Sequence, residues 1–313
     1  MSKSLLIAYI MVPVLYGISV LAIPGLGSWP SFVSLLVIAS FLGLASVGQT
    51  LTILLGGIDL SIPAIIGLAN VLTVRWYGAG LPFAAVVVAV LVISAAIGAV
   101  NGVLSRVLRT HPLLVTLGIS FVVQGCVLVY TEGETVGTVP DGLMAAVSPA
   151  SGLGPIPLPP IVIIWLLLGA AVVLLEQRSI LGRYLFLTGS NETAARLALV
   201  PVFPVWVTAF AVSSLFAAVA GILLAGFSGG ADAGVGQPYL FQTVAAVVVG
   251  GTALVGGQGG YLRTLAGALL ITEITTFLIG IGLDDRVQQI MLGVLIVALV
   301  VVYGREQHVR AQV

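Results

Sequence analysis

The sequence predicts an all-α, polytopic integral membrane protein, and its scarcity of charge is the main reason. Only 7% of the 313 residues are Asp, Glu, Lys or Arg, whereas 59% are hydrophobic, and the mean hydropathy is +1.23. Soluble domains carry about 25% charged residues, so this chain has too little charge to cover a water-exposed surface and must face mostly lipid. The net charge of zero also provides no basic field for nucleic acid.

Apolar segments along the chain predict about ten transmembrane helices, because a helical span needs about 20 mostly apolar residues. The first segment is interpreted as a span and not as a signal peptide, since it is long and lacks a small-residue cleavage site. The whole chain, 1–313, is interpreted as one transmembrane domain. The predicted spans are 5–23, 32–55, 60–74, 82–100, 112–131, 159–175, 202–225, 239–255, 264–283 and 287–303.

The basic residues support ten spans with both termini in the cytoplasm. With the N-terminus inside, nine of the 11 Lys and Arg residues fall on the cytoplasmic side, and only Arg75 and Arg286 fall outside. Lys and Arg concentrate in the cytoplasmic loops of membrane proteins. Joining 32–55 and 60–74 into one span would place the two termini on opposite sides, so the two spans are kept separate.

Two connections are long. The extracytoplasmic loop 132–158 is rich in Gly and Pro and is either an ordered cover or a docking surface for a partner. The cytoplasmic loop 176–201 holds the densest charge and contains "GSNETAARLALV", which predicts a short helix capped by Ser190 or Asn191 with Glu192 in its first turn. That helix is too short and too charged to span, so it either anchors the bundle at the inner face or contacts a cytoplasmic protein.

The stretch "LLGGIDLSIPAIIGL" places a lone carboxyl group, two glycines and a proline inside an apolar region. Gly56 or Gly57 can end one helix in the left-handed conformation. Asp59 can then accept hydrogen bonds from the exposed N–H groups of Ser61 or the residue after it. Pro63 falls in the first turn of the next helix, where its missing donor does little harm. The break is either a structural turn or a gate that moves.

Glycine pairs interrupt a second apolar region, "VVVGGTALVGGQGG" at 247–260, and predict a turn or hinge there. Its approach, "FQTVAAVVVGG", is a faint echo of "GQTLTILLGG" at 48–57, and both would lie at turns on the inner side of the membrane. Duplicated halves are common in transporters. Gly98 and Gly102 are spaced for close helix packing.

Residues that would indicate chemistry within the chain are few. His111 and His308 have no partner at metal-ligand spacing, so no metal site is expected, and the glycine-rich run lacks the Gly-Lys-Ser/Thr ending of a nucleotide-binding loop. Cys126 is the single cysteine and reads as a core residue. Ion-driven pumps usually carry more intramembrane ionisable residues than Asp59 and Glu273. The pattern indicates a passive pathway that needs an external energy source, and no catalytic residue.

Four segments in order resemble the permease subunits of bacterial ATP-binding-cassette (ABC) importers for monosaccharides, the ribose, xylose and arabinose type. They are "GGIDLS" (56–61), "NGVLSRVLRTHPLLVTLG" (101–118), "LGRYLFLTGSNETAARL" (181–197) and "VVVGGTALVGGQGG" (247–260). The resemblance runs over nearly the whole chain. One departure is that Ala198 and Leu199 stand where the family often has a Ser-Gly pair.

The resemblance implies a multi-pass protein of the bacterial inner membrane that pairs with a second copy or a sister permease. Two cytoplasmic ATPases would bind ATP and Mg²⁺, so this chain itself needs no cofactor, and a periplasmic solute-binding protein would dock outside. The inner helix would couple the permease to the ATPase. The residues carried over for coupling are Arg183, Gly189, Asn191, Glu192, Ala194, Ala195 and Arg196.

The solute pathway would need hydrogen-bonding side chains inside the spans. The candidates for the pathway or its gate are Gln49, Thr50, Gly56, Gly57, Asp59, Ser61, Asn70, Asn101, Gln124, Gly250, Gly251 and Thr252. Each polar one is alternatively a hydrogen bond between helices. Two other functions stay open: an ABC permease for nucleosides or branched-chain amino acids, and an ion-coupled secondary transporter or channel.

Overall fold

The computed structural model describes residues 3–134, 136–284, 286–291, 293, 294 and 297. Within these residues the regular secondary structure is helical, apart from an isolated antiparallel bridge between Leu153 and Ile156. This confirms the predicted all-α class. A short 3-10 helix, Pro24–Gly27, follows the first helix. The helices are α1 Lys3–Ala22, α2 Trp29–Leu54, α3 Ile62–Gly78, α4 Phe83–Val107, α5 Pro112–Thr131, α6 Asp141–Val147, α7 Pro160–Arg178, α8 Ile180–Ser190, α9 Glu192–Leu197, α10 Val202–Ser228, α11 Tyr239–Val249 and α12 Tyr261–Gly280.

Six of these helices (α2, α4, α5, α7, α10 and α12) are long and apolar enough to cross a membrane. The chain is therefore a polytopic membrane protein. Three further predicted spans are helical as well, but α3 has 17 residues and α11 only 11. The last predicted span, 287–303, lies largely outside the described residues.

Helix α10 lies at the centre of the bundle and packs against α2, α3 and α4. A Cβ atom added at Gly98 or Gly102 of α4 would collide with α10, and one added at Gly48 of α2 would collide with Ser213 of α10. A Cβ at Gly221 of α10 would collide with the backbone of α3. Small residues thus bring the helix backbones together, as expected where packing and not the hydrophobic effect drives association in lipid.

The loops that connect the helices contact one another in two groups, one at each end of the bundle. At one end, Arg75 Nη2 donates to Thr131 O at 2.9 Å, and Trp29 lines a cavity with residues 149–157. At the other end, Arg106 binds Glu192. We therefore call the first end outer and the second inner.

The structure corrects the predicted end of α11 and adds two helices inside the long connections. Helix α11 ends at Val249 and not at 255, because the glycines that follow adopt turn conformations. Loop 176–201 contains α9, which corresponds to the predicted short helix, and also α8, which was not predicted. Loop 132–158 contains the short helix α6. Residues 229–238 connect α10 to α11 without forming a helix.

Candidate functional site

The break between α2 and α3 is a turn built around Asp59. Two residues after the end of α2, Gly56 adopts the left-handed conformation with φ +80°, which glycine tolerates without strain. Asp59 Oδ1 accepts hydrogen bonds from Ser61 N at 2.9 Å and from Ser61 Oγ at 2.6 Å. Pro63 lies in the first turn of α3. The turn has the predicted construction, with Gly56 and not Gly57 in the left-handed position.

Asp59 also connects this turn to two other helices. Its Oδ2 accepts from Ser213 Oγ of α10 at 2.7 Å, and Ser61 Oγ accepts from Asn101 Nδ2 of α4 at 2.8 Å. All four residues are buried. Ser213 lies about 16 Å along α10 from Val202 at 1.5 Å per residue. The turn is therefore deeper in the bundle than the inner-side position expected from the sequence.

Thr116 of α5 holds the same turn through the backbone. Its hydroxyl donates to Ile58 O at 3.3 Å and accepts from Leu60 N at 3.0 Å. These bonds fix the two residues that flank Asp59. Sequence reasoning did not select Thr116, although the Thr-Leu-Gly triplet within 101–118 was an available signal.

Three backbone segments meet at the inner end of α2, where glycines allow close approach. Gly257 N donates to Leu54 O at 2.8 Å. A Cβ atom added at Gly189 near the end of α8 would collide with the same carbonyl oxygen, and one added at Gly256 would come within 2.9 Å of Gly189 O and of Gly56 N. We call Gly56, Gly189, Gly256 and Gly257 the glycine junction. It joins the turn after α2, the end of α8 and the glycine-rich loop after α11 with no side chain between them.

Helix α9 is fixed to the inner end of α4 by a charged pair. Asn191 Oδ1 caps α9 by accepting from Ala194 N at 3.0 Å. Glu192 accepts from Arg106 through both carboxylate oxygens, at 3.0 and 2.6 Å, and from Arg196 Nη2 at 2.5 Å. Partial burial raises the pKa of Glu192, but the hydrogen bonds and positive charges of Arg106 and Arg196 outweigh it and lower the pKa overall. A bidentate pair of this kind fixes orientation as well as distance.

The segment α8–α9 has an anchored face and an exposed one. Ala195 is buried in an apolar cluster that includes the end of α2. On the other face Arg183 and Arg196 are exposed, Leu197 is 82% exposed and Leu199 is 90% exposed. Leu199 also adopts φ +60°, a conformation that is unfavourable for residues with a Cβ atom. Exposed apolar side chains of this kind mark protein or membrane interaction sites.

Comparison with known proteins decides the family. The family described as branched-chain amino acid transport system / permease component matches residues 31–300. The ribose import permease protein RbsC of Escherichia coli K12 is 34% identical over 266 residues, 84% of this chain and 82% of that protein. The chain belongs to this permease family. The fructose import permease protein FrcC of Rhizobium meliloti is 30% identical, covering 84% of this chain and 74% of its own length. The autoinducer 2 import system permease protein LsrD of Yersinia enterocolitica is 28% identical, covering 83% and 79%. No solved structure matches the chain significantly.

Membership confirms the resemblance seen in the sequence. The protein is a permease subunit of an ABC importer and a multi-pass protein of the bacterial inner membrane. It is a transport subunit, and the segments that carried the resemblance build the Asp59 turn, the glycine junction and helix α9.

Several polar residues predicted for the pathway of this permease hold segments together. Thr50 Oγ1 and Thr264 Oγ1 lie 2.8 Å apart, and Asn70 Oδ1 accepts from Asp232 N at 2.8 Å. Gln49 is fully buried, and its amide has no hydrogen-bond partner among the described residues. Thr50 and Asn70 therefore fit the alternative role, a hydrogen bond between segments. The pathway role of all three stays a prediction.

The remaining candidates lie in three places. Asn101 belongs to the Asp59 network, and Gln124 is half-buried on α5. Gly250 and Gly251 end α11; a Cβ atom at Gly250 would collide with the backbone of α12, and Gly251 has φ +92°. Thr252 Oγ1 accepts from the backbone N–H of the last glycine in the loop at 3.3 Å. Gly250, Gly251 and Thr252 thus form the end of α11 and the base of the glycine-rich loop.

The sequence echo between the two permease segments extends to local structure. Both α2 and α11 end with a left-handed glycine whose N–H donates to the carbonyl three residues back, while the next N–H donates five residues back. This is the Schellman pattern of helix termination. The glycines are Gly56 and Gly251, so the paired glycines of both segments produce the same type of helix end.

Proposed function

We propose that this permease is one of two transmembrane subunits that together import a monosaccharide or a similar polyhydroxylated solute. Support for the solute class comes from the relatives, since RbsC is named for ribose import and FrcC for fructose import. We further propose ten spans in a single domain with both termini in the cytoplasm, on the basis of the nine basic residues on the cytoplasmic side of that arrangement.

The surface of α8–α9 is the proposed contact for a cytoplasmic ATPase. The observation that carries this proposal is the Arg106–Glu192 pair, which connects α9 rigidly to the bundle while the opposite face stays exposed. ATP and Mg²⁺ would be bound by that partner. Closure of two ATPases would push α9, and a helix fixed to α4 and to the glycine junction would pass the displacement to the bundle as a rigid element.

Two further roles complete the proposed transport cycle. A periplasmic solute-binding protein would dock on the outer surface that includes loop 132–158. The turn at Asp59 would act as part of the gate in alternating access, because a broken helix deep in a bundle is a common place for such movement. Helix α10 supports this proposal, because Ser213, which donates to Asp59, and the outer end of α10 belong to one continuous helix. A movement of the Asp59 turn would therefore reach the outer end of the molecule through α10.

Reconstitution tests the proposal. The permease alone should not hydrolyse ATP, whereas proteoliposomes that also contain its ATPase and binding protein should accumulate labelled sugar when ATP is supplied. Arg196→Glu should lower both ATPase co-purification and uptake, because it reverses the charge on the exposed face of α9. Accumulation against a gradient without ATP, or unchanged co-purification, would contradict the proposal and favour an ion-coupled transporter.

The second candidate solute is a branched-chain amino acid, which the description of the matched family favours. A nucleoside is a third candidate. The two classes differ in charge, because an amino acid carries an ammonium and a carboxylate group whereas a sugar carries neither. Calorimetric titration of the cognate binding protein with sugars, nucleosides and leucine separates them.

A further inference from the structure

A non-helical segment enters the bundle beside α3. Residues 229–238 begin at the outer end of α10, and Asp232 N donates to Asn70 Oδ1. A Cβ atom at Gly67 would collide with the carbonyl of Ala233, and one at Gly236 would collide with the carbonyl of Pro63. The segment therefore runs inward along α3 from Asn70 to Pro63, about 10 Å at 1.5 Å per residue. Non-helical backbone at membrane depth is tolerated only where protein covers it or where it lines a water-filled cavity.

Helix α11 continues this segment inward along α12. The carbonyl of Ala246 lies against Gly267, and Gly250 lies against the carbonyl of Arg263. The two helices are therefore antiparallel, and residues before Ala246 lie progressively nearer the outer side. Gln242 is one turn outward from Ala246, about 6 Å at 1.5 Å per residue, which places it near the middle of α12.

A cavity of about 160 Å³ lies at the start of α11, and glutamines dominate its wall. Four of the ten glutamines in the sequence line it. Drug-sized ligand sites measure about 300–1,000 Å³, so the cavity suits one small solute. Its lining includes Gln237, Gln242, Gln288 and Gln289, together with Pro238 and the 53% exposed Phe241.

The chemistry of this wall favours a neutral polyhydroxylated solute. Each glutamine amide offers donors and an acceptor, so it can bind a hydroxyl group in either direction. The lining residues that the structure describes carry no charged side chain that could pair with the ammonium or the carboxylate group of an amino acid. The side chain of Phe241 offers an apolar face for the C–H surface of a sugar ring. Exposed glutamines facing lipid would lose their hydrogen bonds with water, which costs free energy.

We propose that this glutamine pocket is a membrane-depth solute site of the permease, lining the import pathway and binding a monosaccharide through amide groups. The inference rests on the proposed sugar-import function. It assigns that function to residues that were not among the sequence-predicted pathway candidates. Single amide contacts suit a permease, because a site that released solute slowly would limit transport.

Thiol labelling tests the location without requiring transport. In a Cys126→Ser background, Gln237→Cys, Gln242→Cys and Gln289→Cys are introduced separately, and the assembled complex in proteoliposomes is treated with a membrane-impermeant maleimide. Thiols react as thiolates, which form in water and not in lipid. Wild-type Cys126 is exposed on α5, so the prediction that it is a core residue was wrong. It serves as the lipid-facing control. We expect at least two of the three cysteines to react about 10-fold faster than Cys126. Labelling no faster than that of Cys126 would overturn the proposal.

Uptake of radiolabelled ribose and fructose tests solute binding. Gln242→Leu and Gln237→Leu should each reduce uptake or raise its KM about 3- to 10-fold, the effect of losing one hydrogen bond. Gln177→Leu, an exposed glutamine at the inner end of α7, is the matched control. Equal uptake by both variants and the wild type would refute the pocket. Failure of the wild-type complex to import either sugar, with the pocket cysteines still labelled, would instead contradict the proposed function.

Discussion

Replacing Asp59 tests whether its carboxyl group holds the α2–α3 turn by hydrogen bonding. In Asp59→Ala, three donors lose their acceptor inside the bundle: Ser61 N, Ser61 Oγ and Ser213 Oγ. A buried donor without a partner costs about 1–3 kcal/mol. The serine hydroxyls can turn toward other oxygens, such as the carbonyl one helical turn back, so they lie at the low end of that range. We therefore expect a loss of about 3–5 kcal/mol.

Asp59→Asn should cost much less. The Asn side chain keeps the oxygen that accepts both bonds from Ser61, and its amide can donate to Ser213 Oγ in place of accepting from it. The difference between a charged and a neutral acceptor is lost, about 1 kcal/mol per bond. The lower desolvation cost of the neutral amide offsets part of that loss, so we expect a net loss of about 1–2 kcal/mol. The matched control is Asp141, an exposed acid in the first turn of α6, where Ala and Asn should both have small effects.

Thermal unfolding of the detergent-purified permease measures the difference. At about 2–4 °C per kcal/mol, Asp59→Ala should lower the apparent Tm by about 6–20 °C and Asp59→Asn by about 2–8 °C. Equal losses for the two variants would refute the hydrogen-bond reasoning, because Asn preserves the bonds and Ala does not. Uptake by Asp59→Asn then separates the two roles. Normal uptake indicates a structural turn, whereas a folded but inactive protein indicates that the charge itself serves the gate.

Three further predictions concern the inner end. Gly189→Ala should lower the apparent Tm and reduce uptake, because its Cβ atom would collide with the backbone of α2, whereas Gly118→Ala, where nothing lies within 4 Å, should change neither. Glu192→Gln should destabilise the permease by about 1 kcal/mol at pH 7. Because the folded pKa of Glu192 lies below its usual 4.5, the wild-type side chain should stabilise the fold fully above about pH 4.5, and this stabilisation should disappear as the pH falls through the lowered pKa. Melting curves of the wild type and the variant at several pH values can check this. Leu199→Gly should raise the apparent Tm by relieving a left-handed conformation that costs about 1 kcal/mol; a lower Tm would contradict this.

Local sequence rules predicted the elements that depend on neighbours in the chain. The cap of α9 was predicted at Ser190 or Asn191, the left-handed glycine at Gly56 or Gly57, and the proline in the first turn of α3. Each prediction follows from residue types at one or two adjacent positions. Helix boundaries near polar or proline residues, such as the start of α5 at Pro112, were also predictable. These features require no knowledge of what lies across the bundle.

Long-range partners could not be predicted in this way. Ser213 is 154 residues from Asp59, and nothing in the spacing identifies which serine of α10 reaches it. Composition also misled, because apolar residues continue after Val249. The predicted span 239–255 therefore includes the turn that ends α11. Segment 229–238 lies between two predicted spans, and only its contacts with α3 show that it enters the bundle.

The glycine junction connects the proposed ATPase contact to the proposed gate. Gly189 at the end of α8 touches the carbonyl of Leu54, and Asp59 lies five residues after Leu54. Contacts between backbones cannot be absorbed by rotation of side chains, so a displacement of α8 and α9 would act directly on the end of α2. The next position that can rotate is Gly56, which has a left-handed conformation that residue types other than glycine rarely adopt. Beyond it the Asp59 network holds the turn to α4 and α10. A movement that starts at α9 would therefore either rotate the chain at Gly56 or break the hydrogen bonds of Asp59, and these two outcomes correspond to the structural and the gating role of the carboxyl group.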